Sequence, residues 1–197
     1  TRHIGAFGFG AEALPANLTL ALGTGQVTPI EMARGYAVFA NGGFLVTPYL
    51  VERVTDGKST TVFAAEPPVA CADCPDEPPA PQAISPANAF VMTDVMTDVI
   101  QRGTATAARS LGRSDLAGKT GTTNDRRDAW FVGFNADIAA AAWIGFDQER
   151  SLGDNEEGGR TALPMWIYFM EEALRDRPEH RLPEPPGVVR MWVDRSS

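Results

Sequence analysis

The chain of 197 residues is poor in the residue types that define several common functional classes. It has two cysteines and two histidines, so a structural zinc site with four such ligands would need all of them. The formal net charge is −8 and no basic stripe occurs, so nucleic-acid binding is not expected. No apolar run approaches about 18 residues, so no membrane span is predicted within this chain.

What the chain does contain is enough apolar sequence for one core, with 44% hydrophobic residues. Helix-like and strand-like stretches alternate along it. The pattern predicts an α+β fold, an antiparallel sheet flanked by helices.

Three stretches read as amphipathic helices. The clearest is 28–41, whose Thr28 and Glu31 have the spacing of a capping box. Its apolar face, which includes Ile30, is expected in the core. The second is 88–101, with Ser85 as its N-cap and a Met and Val stripe that we expect in the core. The third is 161–175, whose apolar residues we expect to pack on the sheet.

Residues 117–134, AGKTGTTNDRRDAWFVGF, carry most of the functional information. The run that Gly118 and Gly121 flank is predicted to form a strand edge. Strands over 129–134 and 138–146 follow it, joined by short polar turns, which is typical of an antiparallel meander. Two further strand-like runs, 49–54 and 59–63, flank Asp56-Gly57 and predict a hairpin. The meander places the Lys-Thr-Gly triplet on a strand at the edge of the sheet.

The triplet offers one ammonium and neighbouring hydroxyls in a run without bulky side chains. Lys119, Thr120 and Thr122 suit an anionic substrate whose carboxylate needs a counter-charge and hydroxyl donors. Gly121 permits close approach of a ligand backbone, and a backbone N–H at the same edge would stabilise a developing oxyanion. The alternative for the triplet alone is a surface turn with a solvated lysine.

Lys-Thr-Gly is one of three signatures of penicillin-binding proteins and serine β-lactamases. The longer string KTGTTNDRRDAWFVGF closely resembles that of class A penicillin-binding proteins. The resemblance extends to 18–43, to Arg102-Gly103-Thr104-Ala105 and to the last helix. It implies the penicillin-binding transpeptidase fold and D-Ala-D-Ala transpeptidation, in which an acyl-serine intermediate cross-links peptidoglycan and β-lactams acylate the same serine.

The resemblance also implies roles for individual residues. Lys119 would supply positive potential, and Thr120 and Thr122 would bind the terminal carboxylate of a stem peptide or β-lactam. The Thr122 N–H would be one oxyanion donor, and Gly121 and Thr123 would complete the binding strand. No metal or organic cofactor is implied.

Two of the three family signatures are absent. No serine has a lysine three positions on, and no Ser-x-Asn occurs. Because both lie N-terminal to the matched region in the family, we expect 1–197 to be the C-terminal portion of a transpeptidase domain. The nucleophile would belong to an N-terminal remainder of the same polypeptide, anchored at the periplasmic face of the bacterial inner membrane. Cell-wall activator proteins would be further partners.

Two other classes stay open. One is a degenerate module that binds peptidoglycan or a protein partner without catalysis. The other is a serine β-lactamase-like hydrolase or sensor, although Asp128-Ala129-Trp130-Phe131 favours a synthase.

Three segments lie outside the predicted core. The Pro-rich loop 66–86 contains Cys71 and Cys74, for which a local disulfide is favoured over a redox pair, a zinc site or free thiols. The loop 147–160 carries Asp154, Glu156 and Glu157, which suit a solvated loop or a cation site. The tail 178–197 is predicted to be extended, with a short strand over 188–193.

Overall fold

The computed structural model describes residues 2–10, 14–71, 74, 78–192 and 194, and the side chain of Leu22 is not described. The α-helices of this part are α1 (Arg2–Gly5), α2 (Pro29–Ala40), α3 (Pro86–Gln101) and α4 (Ala162–Ala173). The strands are β1 (Arg53–Thr55), β2 (Thr61–Ala64), β3 (Ala117–Thr122), β4 (Ala129–Phe134) and β5 (Ala139–Ile144). Short 3₁₀ helices cover Leu18–Leu22, Thr106–Leu111 and Asn124–Arg126. None of the described helices is long and apolar enough to cross a membrane.

The central sheet is the predicted antiparallel meander, with strand order β3-β4-β5. In the register, Thr120 lies opposite Phe131 and Thr122 lies opposite Ala129. Helix α4 packs on β4 and β5, α2 contacts the same two strands, and α3 packs along β3. The prediction of an α+β fold is confirmed.

Local sequence signals set where α2 and α3 begin. Thr28 and Glu31 form a reciprocal capping box, with Pro29 at the first position of α2. The Ser85 side chain accepts a hydrogen bond from the Asn88 N–H at the start of α3. Both predicted caps are confirmed.

The main core lies between the sheet and α4. The rings of Phe131 and Trp166 meet edge to face, with centroids 4.9 Å apart. A Cβ on Gly133 would lie 2.6 Å from the Trp166 ring. Only glycine therefore lets α4 lie this close to β4.

A second cluster joins the sheet to α2 and α3. Phe134 and Ala117 pack with Ala40 of α2 and Met96 of α3. The Phe39 ring stacks on Phe134 at a centroid separation of 6.4 Å. The beginning of β3 is thus held by helices as well as by β4.

Parts of the predicted helical core stripes are wrong. On α3 the buried residues are Ala89, Met96 and Ile100. The predicted core residues that are instead exposed are Val91, Met92 and Val95 of α3, Met165 and Phe169 of α4, and Ile30 of α2. The apolar stripe of each helix is wider than the face that the described elements cover, and periodicity does not show how much of a stripe is covered.

The predicted hairpin forms, with shorter strands than expected. β1 pairs antiparallel with β2. The Asp56 carboxylate accepts hydrogen bonds from the N–H groups of Lys58 and Thr60, at 2.8 and 2.9 Å. The turn therefore includes Ser59, whose φ is 63°, and pairing resumes only at Thr61.

The segment 66–86 is fixed to the core at its C-terminal end. Ala80 and Ile84 are buried, and Gly43 O accepts from the N–H groups of Ala83 and Ile84. Cys71 and Cys74 form a disulfide, which confirms the favoured pairing. Pro75 lies outside the described residues.

The tail has no regular structure over 188–192, so the predicted strand is wrong there. Val193, the last residue of that prediction, lies outside the described residues.

Candidate active site

The candidate site is built on β3. One edge of this strand pairs with β4 along its whole length. No strand in the described part of the chain pairs with the other edge. An unpaired strand edge presents alternate N–H and C=O groups to a ligand in extended conformation.

Lys119 is the one charged side chain of β3. It is exposed, and its Nζ donates a hydrogen bond to the Thr120 carbonyl oxygen at 3.0 Å. The ammonium therefore stays beside the strand while its remaining donors are available to an anion.

Thr120 and Thr122 share one face of β3, because side chains alternate along a strand. The Oγ1 atoms of Thr120 and Thr104 lie 2.7 Å apart. Thr122 Oγ1 accepts a hydrogen bond from the Gly158 N–H at 3.1 Å. Each of the two hydroxyls is thus held by a hydrogen bond with a neighbouring segment of the chain.

Gly121 lies where the segment before α4 crosses the strand. Gly158 is buried there, and a Cβ on it would lie 2.4 Å from Gly121 O and 2.3 Å from Trp130 O. A Cβ on Gly121 itself would lie 3.2 Å from Trp130 Cβ. The backbone of Gly158 therefore comes close enough for its N–H to reach Thr122.

Thr123 lies just beyond β3, and its hydroxyl closes the following turn. Thr123 Oγ1 accepts from the Asp128 N–H at 2.8 Å, and the Thr123 N–H donates to Asp128 O at 3.1 Å. Asp128 Oδ1 in turn accepts from Trp143 Nε1 at 2.9 Å. The structure thus places Lys119, Thr120 and Thr122 on one unpaired strand, with both threonines on the same face, and places the Thr123 hydroxyl in the turn.

The acidic side chains of 147–160 have separate partners. Asp154 lies 3.7 Å from Arg126, and Glu156 accepts from the Thr161 hydroxyl at 2.6 Å. Among the described residues, no group of three or more His, Cys, Asp or Glu side chains is arranged to hold a metal ion.

The sequence reading missed a buried polar cluster at the opposite end of β3. Asp115, with a side chain 0% exposed, accepts two hydrogen bonds from Arg113 at 2.9 and 2.7 Å. It also accepts from Asn135 Nδ2 and from the His180 N–H, both at 3.0 Å. Burial raises the pKa of Asp115, but the hydrogen bonds from Arg113, Asn135 and His180 outweigh it and hold the pKa below its ordinary value.

The same cluster attaches the C-terminal segment. Glu179 accepts from the Ser114 N–H at 2.9 Å and also from the Ser114 hydroxyl, and these bonds lower the pKa of Glu179. His180 Nδ1 lies 2.7 Å from Asp137 Oδ1. Ser114 and Glu179 are 65 positions apart, and no periodic signal in a sequence marks such a pair.

The sequence is similar to that of proteins that bind penicillin. The family model described as penicillin binding protein transpeptidase domain matches residues 10–151. Penicillin-binding protein 1A of Neisseria lactamica is 47% identical over 188 residues, which cover 95% of this chain and 23% of that protein. The chain spans about a quarter of the length of the curated relatives it matches.

Solved structures of penicillin-binding proteins are also similar to this chain. The crystal structure of penicillin-binding protein 1A from Haemophilus influenzae has a TM-score of 0.89 at 38% identity, covering 94% of this chain and 32% of that one. The imipenem acyl-enzyme complex of penicillin-binding protein A from Mycobacterium tuberculosis has a TM-score of 0.60 at 25% identity, covering 88% of this chain and 42% of that one. The family model covers most of the chain, and the relatives are similar over nearly all of it. The chain therefore belongs to the penicillin-binding protein transpeptidase family.

Proposed function

We propose that this chain supplies the carboxylate-binding edge of a D-Ala-D-Ala transpeptidase that cross-links peptidoglycan. The observation that carries the proposal is that one unpaired strand, β3, carries both the exposed Lys119 ammonium and the hydroxyls of Thr120 and Thr122. Stem peptides that end in D-Ala-D-Ala and β-lactams both present a carboxylate. This strand is suited to bind either one.

Each group has a distinct task in the proposed reaction. Lys119 lowers the energy of the bound anion, while Thr120 and Thr122 orient the carboxylate by donating hydrogen bonds. Gly121 has no side chain, so it leaves room for a ligand beside the strand. Thr123 is included as the residue that fixes the end of the binding strand, because its hydroxyl and its backbone N–H both bond to Asp128.

The chemical step would take place at the end of the strand. A serine on an N-terminal part of the polypeptide attacks the penultimate D-Ala carbonyl, and the C–N bond to the terminal D-Ala breaks. The Thr122 N–H stabilises the oxyanion, an interaction that contributes roughly 3–4 kcal/mol in comparable sites. An amine of a second stem peptide then displaces the serine and forms the cross-link.

The wider setting is also part of the proposal. The chain would form the C-terminal portion of the transpeptidase domain, in a protein held at the periplasmic face of the inner membrane. A glycosyltransferase activity in the same protein, a role in cell shape and an activator partner would fit a class A synthase.

Labelling with a fluorescent penicillin tests the proposal. The full-length protein is treated with the label, digested and mapped by mass spectrometry. We expect one covalent label, on a serine outside 1–197. Label on a serine of 1–197 would refute the placement of the nucleophile. Absence of label would refute the transpeptidase assignment, and multiple rapid turnovers of penicillin would instead indicate a β-lactamase.

A further inference from the structure

Thr104 lies outside the Lys-Thr-Gly motif, yet it contacts the motif directly. Its Oγ1 is 2.7 Å from Thr120 Oγ1, and the two residues are 16 positions apart. Thr104 belongs to the turn that ends α3. The motif hydroxyl and this turn therefore come together only in the folded chain.

The end of α3 fixes the position of Thr104. A Cβ on Gly103 would lie 2.8 Å from Val99 Cα, so the turn folds back tightly on the helix. The Ala105 N–H donates to Val99 O at 3.0 Å, and the Ala105 side chain is fully buried. With both neighbours held, little freedom remains for the Thr104 backbone.

The segment before α4 packs against Thr104 and Thr120 from the other side. A Cβ on Gly159 would lie 2.8 Å from Thr104 O and 3.7 Å from Thr120 Cγ2. The adjacent Gly158 N–H donates to Thr122 Oγ1. Three segments, the α3 end, β3 and the α4 start, therefore meet behind the two motif hydroxyls.

The Gly158 contact makes the Thr122 hydroxyl an acceptor, whereas either hydroxyl of the Thr104–Thr120 pair can donate to the other. A hydroxyl has one proton and two acceptor lone pairs, whereas an ionised carboxylate only accepts. Thr122 already accepts from Gly158, so its own proton is free to be donated to a substrate carboxylate. Thr120 reaches the same state when Thr104 donates to it.

We propose that Thr104 is a positioning residue, which donates to Thr120 and thereby directs the Thr120 proton to the substrate carboxylate. The inference rests on the proposed function, because it concerns recognition of the same carboxylate. A chain of hydrogen bonds, Thr104 to Thr120 to carboxylate, also strengthens each of its members by polarisation. Thr104 itself does not touch the reacting atoms.

The test compares two penicillins in the full-length protein. Benzylpenicillin carries the carboxylate, and its methyl ester does not carry the negative charge. Second-order acylation rates are measured for wild type, Thr104→Val and Thr104→Ser. We expect Thr104→Val to lower the rate with benzylpenicillin about tenfold, in line with the loss of one hydrogen bond to a charged system, and to change the rate with the ester less than about twofold.

Thr104→Ser keeps the hydroxyl, so we expect it to retain most of the benzylpenicillin rate. Thr97→Val is the matched control, because the Thr97 hydroxyl donates to Thr93 O within α3 at 3.0 Å, and it should change neither rate. Equal losses with both penicillins, or no loss for Thr104→Val, would overturn the positioning role and leave the proposed function intact. A wild-type protein that benzylpenicillin does not acylate would overturn the proposed function together with this inference.

Discussion

The two ends of β3 use polar residues for opposite purposes. At its beginning, the carboxylate of Asp115 is fully buried and accepts four hydrogen bonds from three residues. Over its last four residues, Lys119 and Thr122 are exposed and keep donors that the protein does not use. The two ends are separated by six strand residues, about 20 Å of extended chain.

Under the proposed function, the difference separates polar groups that stabilise the fold from those that would bind a ligand. A buried charge must have all its partners, since removal of one leaves the other uncompensated. A binding group must keep spare capacity until the ligand arrives. Changes at the beginning of β3 should therefore reduce stability, and changes at its end should reduce activity.

The largest expected effect is on stability, from Arg113→Met. It removes the partner of buried Asp115, and we expect the free energy of unfolding to fall by about 3–5 kcal/mol. Urea denaturation of the full-length protein, followed by tryptophan fluorescence, measures the loss. Acylation per folded molecule should stay at the wild-type rate.

The matched control is Arg175→Met. Arg175 pairs with Glu172 in an exposed setting, with side chains 63% and 67% exposed, so its loss should cost less than about 1 kcal/mol. Equal losses for the two variants would remove the distinction between the ends of β3.

The next largest effect is on activity, from Lys119→Ala. We expect acylation by benzylpenicillin to slow about 100-fold, roughly 2.7 kcal/mol of transition-state stabilisation. The chain has one other lysine, Lys58 in the hairpin turn, and Lys58→Ala is the control. Stopped-flow acylation rates that fall in both variants, or in neither, would contradict the steering role of Lys119.

Thr122→Ala should have a smaller effect on acylation. The variant loses one hydroxyl donor to the carboxylate but keeps the backbone N–H for the oxyanion. We expect a loss of about 30-fold, within the range for a hydrogen bond to a charged group, in a protein that still folds. The free energy of unfolding should fall by no more than about 1–3 kcal/mol, because the Gly158 N–H loses its acceptor. Thr61→Ala, on the exposed strand β2, is the control, and an unchanged rate for Thr122→Ala would eliminate the side-chain role.

The smallest effect is confined to acid pH. Because the pKa values of Asp115 and Glu179 are lowered in the folded state, the unfolded state binds more protons at acid pH. Both carboxylates contribute fully to the free energy of unfolding above the ordinary carboxyl pKa of about 4. This contribution is lost as the pH falls through their lowered pKa values in the folded state. Asp115→Asn also lowers the free energy of unfolding at neutral pH, because Arg113 loses its partner. In a plot of unfolding free energy against pH it should flatten this acid decline, and an equally steep decline would contradict the assignment.

The sequence was sufficient for the parts of the fold that local signals encode. The meander over 117–146 follows from alternating apolar runs and short polar turns, and the starts of α2 and α3 follow from their caps. The edge position of Lys119 followed from the order of these strands. Residue chemistry marked the triplet as suited to an anion, and the roles of its individual residues rest on the resemblance to class A penicillin-binding proteins.

The contacts around the motif could not be predicted in this way. Thr104 with Thr120, and Gly158 with Thr122, join segments 16 and 36 positions apart. Such polar pairs have no periodicity, and neither does the cluster around Asp115. The exposure of Val91 on α3 shows the same limit for apolar residues, because its stripe indicates a face without indicating what covers it.

The most direct test is a crystal structure of the full-length protein acylated by benzylpenicillin. The account predicts that the penicillin carboxylate accepts hydrogen bonds from the hydroxyls of Thr120 and Thr122, with Lys119 nearby and the acyl bond on a serine outside 1–197. A carboxylate that contacts no residue of β3 would contradict it.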